Sequence, residues 1–109
     1  MTQAELYQAL KSLGMPVVYS HFDEDPNNPP PSPPYIAYLF IDNDDFIADN
    51  VNYKSIYNYQ IELYTSKKDL ASEKLVEDKL KELDLPYFKL ETWIESEKLF
   101  QVVYQIQLI

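Results

Sequence analysis

The segment Tyr53–Thr65, which reads YKSIYNYQIELYT, decides the fold because its side chains alternate in character. The apolar and aromatic set is Tyr53, Tyr57, Tyr59, Ile61 and Leu63, and the polar set is Lys54, Asn58, Gln60 and Glu62. A period of two residues is typical of a β-strand that buries one face and leaves the other open. We therefore predict one strand over Tyr53–Thr65, with its tyrosine face toward a core.

The same alternation returns in Leu99–Leu108, LFQVVYQIQL, near the end of the chain. Its apolar positions are Phe100, Val102, Tyr104, Ile106 and Leu108, and its amides are Gln101, Gln105 and Gln107. The short polar segment Glu95–Lys98 separates this run from the strand-like segment Tyr87–Ile94. These two runs predict a β-hairpin.

Two segments carry helical spacing instead. Thr2 and Glu5 form a capping box, and Gly14 follows the leucines as a stop signal. Ser66 with Asp69 is predicted to cap the second helix and Pro86 to end it, with Glu77 and Lys81 predicted to pair on its outer face. The predicted inner positions are Leu6, Leu10 and Leu13 in the first helix, and Val76, Leu80 and Leu83 in the second.

Between the first helix and Tyr53, the chain predicts a short edge strand at Val17–Tyr19 and a second strand at Tyr35–Asp42. The latter is apolar on both faces, which is typical of a strand covered on both sides. The loop at residues 23–34 holds six of the eight prolines, and proline cannot pair inside a sheet. Residues 43–52 are predicted to form an acidic connection.

These elements give the order α-β-β-β-α-β-β in a single domain that spans residues 1–109. We predict an α+β fold in which two helices pack on one face of an antiparallel sheet of four to five strands. The proline-rich loop at residues 23–34 is interpreted as part of this domain.

Composition excludes several classes of function. The chain has no cysteine, which removes disulfides, thiolate metal sites and cysteine nucleophiles. Its net charge of −9 repels phosphate backbones, so we expect no direct binding of nucleic acid. We also expect no membrane association, because no apolar run approaches the roughly 20 residues of a membrane helix.

Candidate catalytic and metal motifs are weak. Asp23, Asp25 and Asn27 match the start of a calcium-binding EF loop, but Asn28 and Pro34 stand where that loop needs glycine and glutamate. The single histidine has no histidine or cysteine partner, and one glycine cannot build a phosphate-binding loop. We expect no enzyme activity, no metal and no cofactor.

The amides of the two striped strands are the most informative polar residues. If those strands are neighbours, the amides form an uncharged face, and interface cores are depleted in charge and enriched in aromatic residues. We therefore predict a subunit interface at Asn58, Gln60, Gln101, Gln105 and Gln107. The alternative is a monomeric adaptor or regulatory module whose loop Pro26–Pro34, with its P-x-x-P spacing, recruits a partner protein.

Three stretches carry a family resemblance: PYIAY at residues 34–38, the run from Tyr57 to Leu70, and IESEKL at residues 94–99. Together they resemble the small tail-completion proteins of long-tailed bacteriophages and prophages, also called tail terminator or head–tail joining proteins. The similarity spans nearly the whole chain.

This resemblance implies a subunit of a ring, expected to be a hexamer, in the neck of the virion, assembled in the cytoplasm of a bacterial host. The ring would cap the tail tube and dock to the head connector, so its partners would be copies of itself, the tail-tube protein and the connector. The predicted docking loop is Asp44, Asp45, Phe46 and Ile47, within the acidic segment of residues 42–52.

Overall fold

The computed structural model describes residues 1–23, 25–44, 46–48 and 51–109, with the backbone alone for 46–48 and 51–54. The helices are α1 (Gln3–Lys11) and α2 (Leu70–Glu82), and the strands are β1 (Val17–Tyr19), β2 (Tyr35–Asn43), β3 (Phe46–Ala48), β4 (Val51–Lys54), β5 (Tyr57–Thr65), β6 (Phe88–Ile94) and β7 (Leu99–Leu108). Apart from the β3–β4 hairpin, this order and the α+β class confirm the prediction.

Five strands form the main sheet in the order β1-β2-β5-β7-β6. All neighbours pair antiparallel except β1 and β2, which pair parallel with Val17 opposite Ile36. The sheet is therefore mixed rather than wholly antiparallel. A parallel pair needs a long connection that returns to the same end of the sheet, and the proline-rich loop supplies that length.

The prediction of one strand over Tyr53–Thr65, preceded by a connection, was wrong. Residues 51–54 instead pair with β3 as a separate small hairpin, and β5 begins only at Tyr57. At its base, the backbone N–H of Asp44 donates to the carbonyl oxygen of Ile56 (2.8 Å). The sequence carries a trace of this break, because Ser55 and Ile56 reverse the alternation of polar and apolar residues.

Both helices pack on one face of the main sheet. Leu6 and Leu10 of α1 and Val76 and Leu80 of α2 are fully buried in a single core. The strands contribute to this core the apolar positions Ile36, Tyr38, Tyr59, Ile61, Leu63, Val102, Tyr104, Ile106 and Leu108. The core thus confirms which faces of β5 and β7 are buried, and it leaves the opposite face of the sheet uncovered by either helix.

The helix ends follow from local chemistry. Thr2 Oγ1 accepts from the backbone N–H of Glu5 (3.2 Å), which confirms the capping box, and Gly14 adopts a φ of +88°. Asp69 caps α2 by accepting from the backbone N–H of Ser72 (3.0 Å). This helix ends at Glu82, ahead of Pro86, so the proline follows the helix rather than stopping it.

Candidate subunit interface

The face of the sheet opposite the helices brings together the five amides predicted from sequence. We call this surface the open face; it comprises the even-numbered residues of β5 from Asn58 and the odd-numbered residues of β7, with their neighbours on β2 and β6. Asn58 lies opposite Gln107 and Gln60 lies opposite Gln105, while Gln101 lies opposite Tyr64. Sequence periodicity predicted which side of each strand carries the amides, and the two sets lie together because β5 and β7 are direct neighbours.

At one end of the open face the amides form a connected chain. Gln107 Nε2 donates to Asn58 Oδ1 (3.0 Å). Asn58 Nδ2 in turn lies within hydrogen-bond distance of two carboxylates, Asp42 Oδ1 (2.6 Å) and Asp44 Oδ2 (2.7 Å). These bonds hold Asn58 and Gln107 in place before any partner binds.

The centre of the open face is a carboxylate that sequence reasoning did not select. Glu62 is only 9% exposed, although no helix covers this face. It accepts from Gln60 Nε2 (2.7 Å), Tyr64 Oη (3.0 Å) and Gln101 Nε2 (3.3 Å). All three donors are neutral, and within the described part of the chain no lysine lies in ion-pair range of Glu62.

The expectation of an uncharged face was therefore wrong at its centre. Glu62 belongs to the polar set of Tyr53–Thr65, so the sequence alone predicts which side of the sheet it lies on. The sequence does not predict that Glu62 is almost completely buried, because one of the side chains that contact it, Gln101, comes from a different strand. Any partner that covers the open face meets a carboxylate surrounded by amides.

Aromatic rings occupy the opposite end of the open face. Tyr64 stacks on Tyr35, with ring centroids 5.1 Å apart, and Phe22 meets Tyr35 edge-on at 5.3 Å. Burial, together with the negative charge of Glu62, raises the pKa of Tyr64 to about 12. Tyr64 is therefore protonated at neutral pH and serves as a hydrogen-bond donor to the carboxylate.

A cleft of about 810 Å³ opens beside the amide chain. Its lining includes the amides of Asn58, Gln60 and Gln105 and the apolar side chains of Leu85 and Phe88. Phe88 is 65% exposed, and Leu90, two residues further along β6, is 46% exposed. The part of the open face beside β6 thus combines amide side chains with exposed apolar side chains. This composition is closer to that of an interface core than to that of an ordinary solvated surface.

The helix-covered side of the sheet holds a second set of carboxylates with a different environment. Glu73 of α2 is 2% exposed and lies 2.8 Å from Lys68 Nζ and 2.7 Å from Lys89 Nζ. Its Oε1 accepts no well-aligned hydrogen bond, so its contact with Lys89 is chiefly ionic. Lys89 also lies 2.8 Å from Glu77, which accepts from Tyr104 Oη (2.8 Å).

The pairing predicted between Glu77 and Lys81 was wrong, because Glu77 turns inward toward β6 and β7 instead. Burial by itself would raise the pKa values of Glu73 and Glu77. Charge from the neighbouring lysines outweighs burial and lowers both, and at Glu77 hydrogen bonds from Lys89 and Tyr104 add to this effect. This network therefore ties α2 to the edge strand β6 with charged groups that are paired inside the chain.

The predicted docking loop is described only in part. Asp44 is exposed at the base of the hairpin and bound to Asn58, so it belongs to the amide chain as well. Asp45 lies outside the described residues, as do the side chains of Phe46 and Ile47, although the backbone of both lies in β3. A docking role for this loop stays a prediction.

The proline-rich loop shows backbone roles for its polar residues. Asp25 Oδ1 accepts from the backbone N–H of Asn27 (2.9 Å), which is a local turn rather than cation coordination. Pro31, Pro33 and Pro34 are half-buried, whereas Pro26, Pro29 and Pro30 are exposed.

Among the described residues, no group of three or more histidines, cysteines or carboxylates is arranged to hold a metal ion. Neither helix of the described chain is long and apolar enough to span a membrane.

Comparison with known proteins gives no assignment: neither the protein-family models nor the curated proteins compared with this chain match it.

Proposed function

We propose that this protein is a structural subunit that packs against copies of itself through the open face and the edges of its sheet. The particular assembly is a ring, expected to be a hexamer, that acts as a tail terminator or head–tail joining ring of a phage or prophage. One observation carries the proposal: on a sheet face that neither helix covers, two adjacent central strands present four amides together and a fifth, Gln101, beyond Glu62 and Val103.

The amides suit an interface because they are already positioned. Asn58 and Gln107 are bonded to each other, and Gln60 and Gln101 both donate to Glu62. Ordering free side chains on binding costs roughly 0.5–1.5 kcal/mol for each one, and pre-formed contacts reduce that cost. A copy that docks here would meet donors and acceptors in fixed positions.

The step from self-assembly to a tail ring is supported by the resemblance to tail-completion proteins. The net charge of −9 fits that role, because an acidic ring does not grip DNA that passes through it. In this proposal the segment of residues 42–52 docks the ring onto the head connector. Its acidic character would suit a basic patch on that partner.

Gln105→Glu tests the interface. Gln105 is exposed and lies beside Gln60. Repeating an added carboxylate around a closed ring should weaken assembly, and light scattering after size-exclusion chromatography, with and without tail-tube protein, would measure this. Gln60→Glu is a less specific test of the interface, because it would also place a second carboxylate beside Glu62 within the same chain.

The matched control is Gln8→Glu, the same change at an exposed position of α1 on the helix side. It should leave assembly unchanged. Equal behaviour of the two variants would remove the open face from the interface, and a strict monomer in the presence of tail-tube protein would count against the whole proposal.

The adaptor function keeps one supporting observation, the exposure of Pro26, Pro29 and Pro30. Replacing these three by serine leaves the half-buried prolines in place. A ring-forming subunit should still assemble after that change. Loss of binding to a partner protein, in a chain that is monomeric with or without the change, would favour the adaptor instead.

A further inference from the structure

The strand β6 forms a long, free edge of the main sheet. It has seven residues, and its outer side pairs with no other strand of the described chain. The opposite edge, β1, has only three residues. An edge of this length exposes a row of backbone N–H and C=O groups that another strand can pair with.

This edge contains no proline, which is one of the devices that normally prevent such pairing, and Phe88, Leu90 and Trp93 are 65%, 46% and 43% exposed. Its two charged residues face the helix side, where Lys89 pairs with Glu73 and Glu77, and Glu91 pairs with Lys68. Both side chains remain partly exposed, at 34% for Lys89 and 40% for Glu91, so a strand that pairs here must carry charges complementary to them.

We propose that β6 pairs antiparallel with β6 of a second copy of this chain, centred on Leu90. In that register each Leu90 faces its counterpart, and Lys89 of each copy faces Glu91 of the other. Phe88 of each copy faces Thr92 of the other. Opposite charges directly across an antiparallel pair are favourable, as are paired apolar side chains.

Other two-fold registers are less favourable. Centring the pair on Glu91 would place two carboxylates opposite each other, and centring it on Lys89 would place two ammonium groups opposite each other. Like charges in these positions destabilise a strand pair. Among these three registers the charges of β6 favour the one centred on Leu90, and this self-complementarity is the reason to name a second copy as the occupant.

This contact goes beyond the proposed ring. A two-fold contact closes on two copies, whereas a ring needs a head-to-tail contact between different surfaces. The β6 pairing would join two five-stranded sheets into one sheet of ten strands. It assigns the β6 edge to a two-fold contact and leaves the open face and the β1 edge to the ring. Leu90→Lys tests the first contact and Gln105→Glu tests the second, so the two proposals can fail separately.

Leu90→Lys is the first test. Light scattering over a range of concentrations should show a dimer of the wild-type chain, at twice its 12.8 kDa. The variant should raise the dimer dissociation constant by about tenfold or more, because two lysines would meet at the centre. Leu75→Lys is the matched control, since Leu75 is also 46% exposed but lies on α2.

A mixing experiment makes the register itself testable. Leu90→Lys and Leu90→Glu should each be monomeric, yet native mass spectrometry of their mixture should detect a mixed dimer. A wild-type chain that stays monomeric at every concentration would overturn the proposal. So would a dimer that Leu90→Lys weakens no more than Leu75→Lys does, or monomeric variants that fail to combine. Circular dichroism would confirm that each variant is folded, and Gln105→Glu should leave this dimer intact.

Discussion

Glu62 and Glu73 are two nearly buried carboxylates on opposite sides of the same sheet, and their environments differ sharply. Glu73 lies between two lysines beneath α2, whereas Glu62 is held by two amides and one phenol. A buried charge is costly unless it is paired or well hydrogen-bonded. The helix side therefore pairs its buried carboxylate with lysines, whereas no lysine side chain that the structure describes lies in ion-pair range of Glu62 on the open face.

The largest expected difference between the two sides concerns apolar packing. Leu80→Ala should lower the free energy of unfolding by about 3 kcal/mol, because Leu80 is fully buried beneath α2 and its truncation leaves a cavity. Leu90→Ala on the open side should cost less than about 1 kcal/mol, since Leu90 is largely exposed. Urea denaturation of both variants at low protein concentration would measure their free energies of unfolding. Equal losses of stability would mean that Leu90 is packed within the single chain as tightly as Leu80.

Removal of a lysine should have the next largest effect. Lys89→Met leaves Glu77 with no lysine and Glu73 with one, and should cost about 2 kcal/mol after allowance for the partial exposure of Lys89. Lys74→Met removes an exposed pair with Asp78 and should leave the free energy of unfolding nearly unchanged. The same denaturation experiment would compare them, and a Lys89 variant as stable as the Lys74 variant would show that the network adds little.

Acid should weaken the helix side. The pKa values of Glu73 and Glu77 are lowered from the ordinary value of 4.5, so both carboxylates release protons more readily in the folded chain. Their contribution to stability is fully present above pH 4.5 and is lost as the pH falls through the lowered values. Unfolding curves between pH 7 and pH 3 should show this loss.

The double variant Glu73→Gln, Glu77→Gln provides the comparison for the acid series. It should be less stable at neutral pH, because Lys89 then lacks a carboxylate partner, and its stability should fall less steeply in acid. A slope identical to that of the wild type would assign the acid sensitivity to other groups.

The smallest effect is expected at the centre of the open face. Glu62→Gln keeps an oxygen that can accept from Gln60 and Tyr64 while removing the charge, so the free energy of unfolding should change by about 1 kcal/mol or less. Thermal unfolding of the isolated chain would measure it. A loss of several kcal/mol would indicate that Glu62 is paired within the chain, which would remove the contrast with Glu73.

The inward-facing residues of α2 are predicted from the sequence only in part. The spacing of Val76 and Leu80 predicts the buried stripe correctly, since helical periodicity is a local property. The direction of Glu77 depends on Lys89, which lies twelve residues away and reaches it only because β6 joins the sheet beside β7. Helical i,i+4 spacing therefore predicted Lys81 as the partner of Glu77, whereas its partner in the folded chain is Lys89.

The open face shows the same division. Alternation along β5 and β7 was enough to predict which side chains share a surface, because successive residues of a strand point to opposite sides whatever its neighbours are. Strand order, the parallel pairing of β1 with β2, the free edge of β6 and the burial of Glu62 required the folded chain. Each depends on contacts between residues distant in sequence, which no local period encodes.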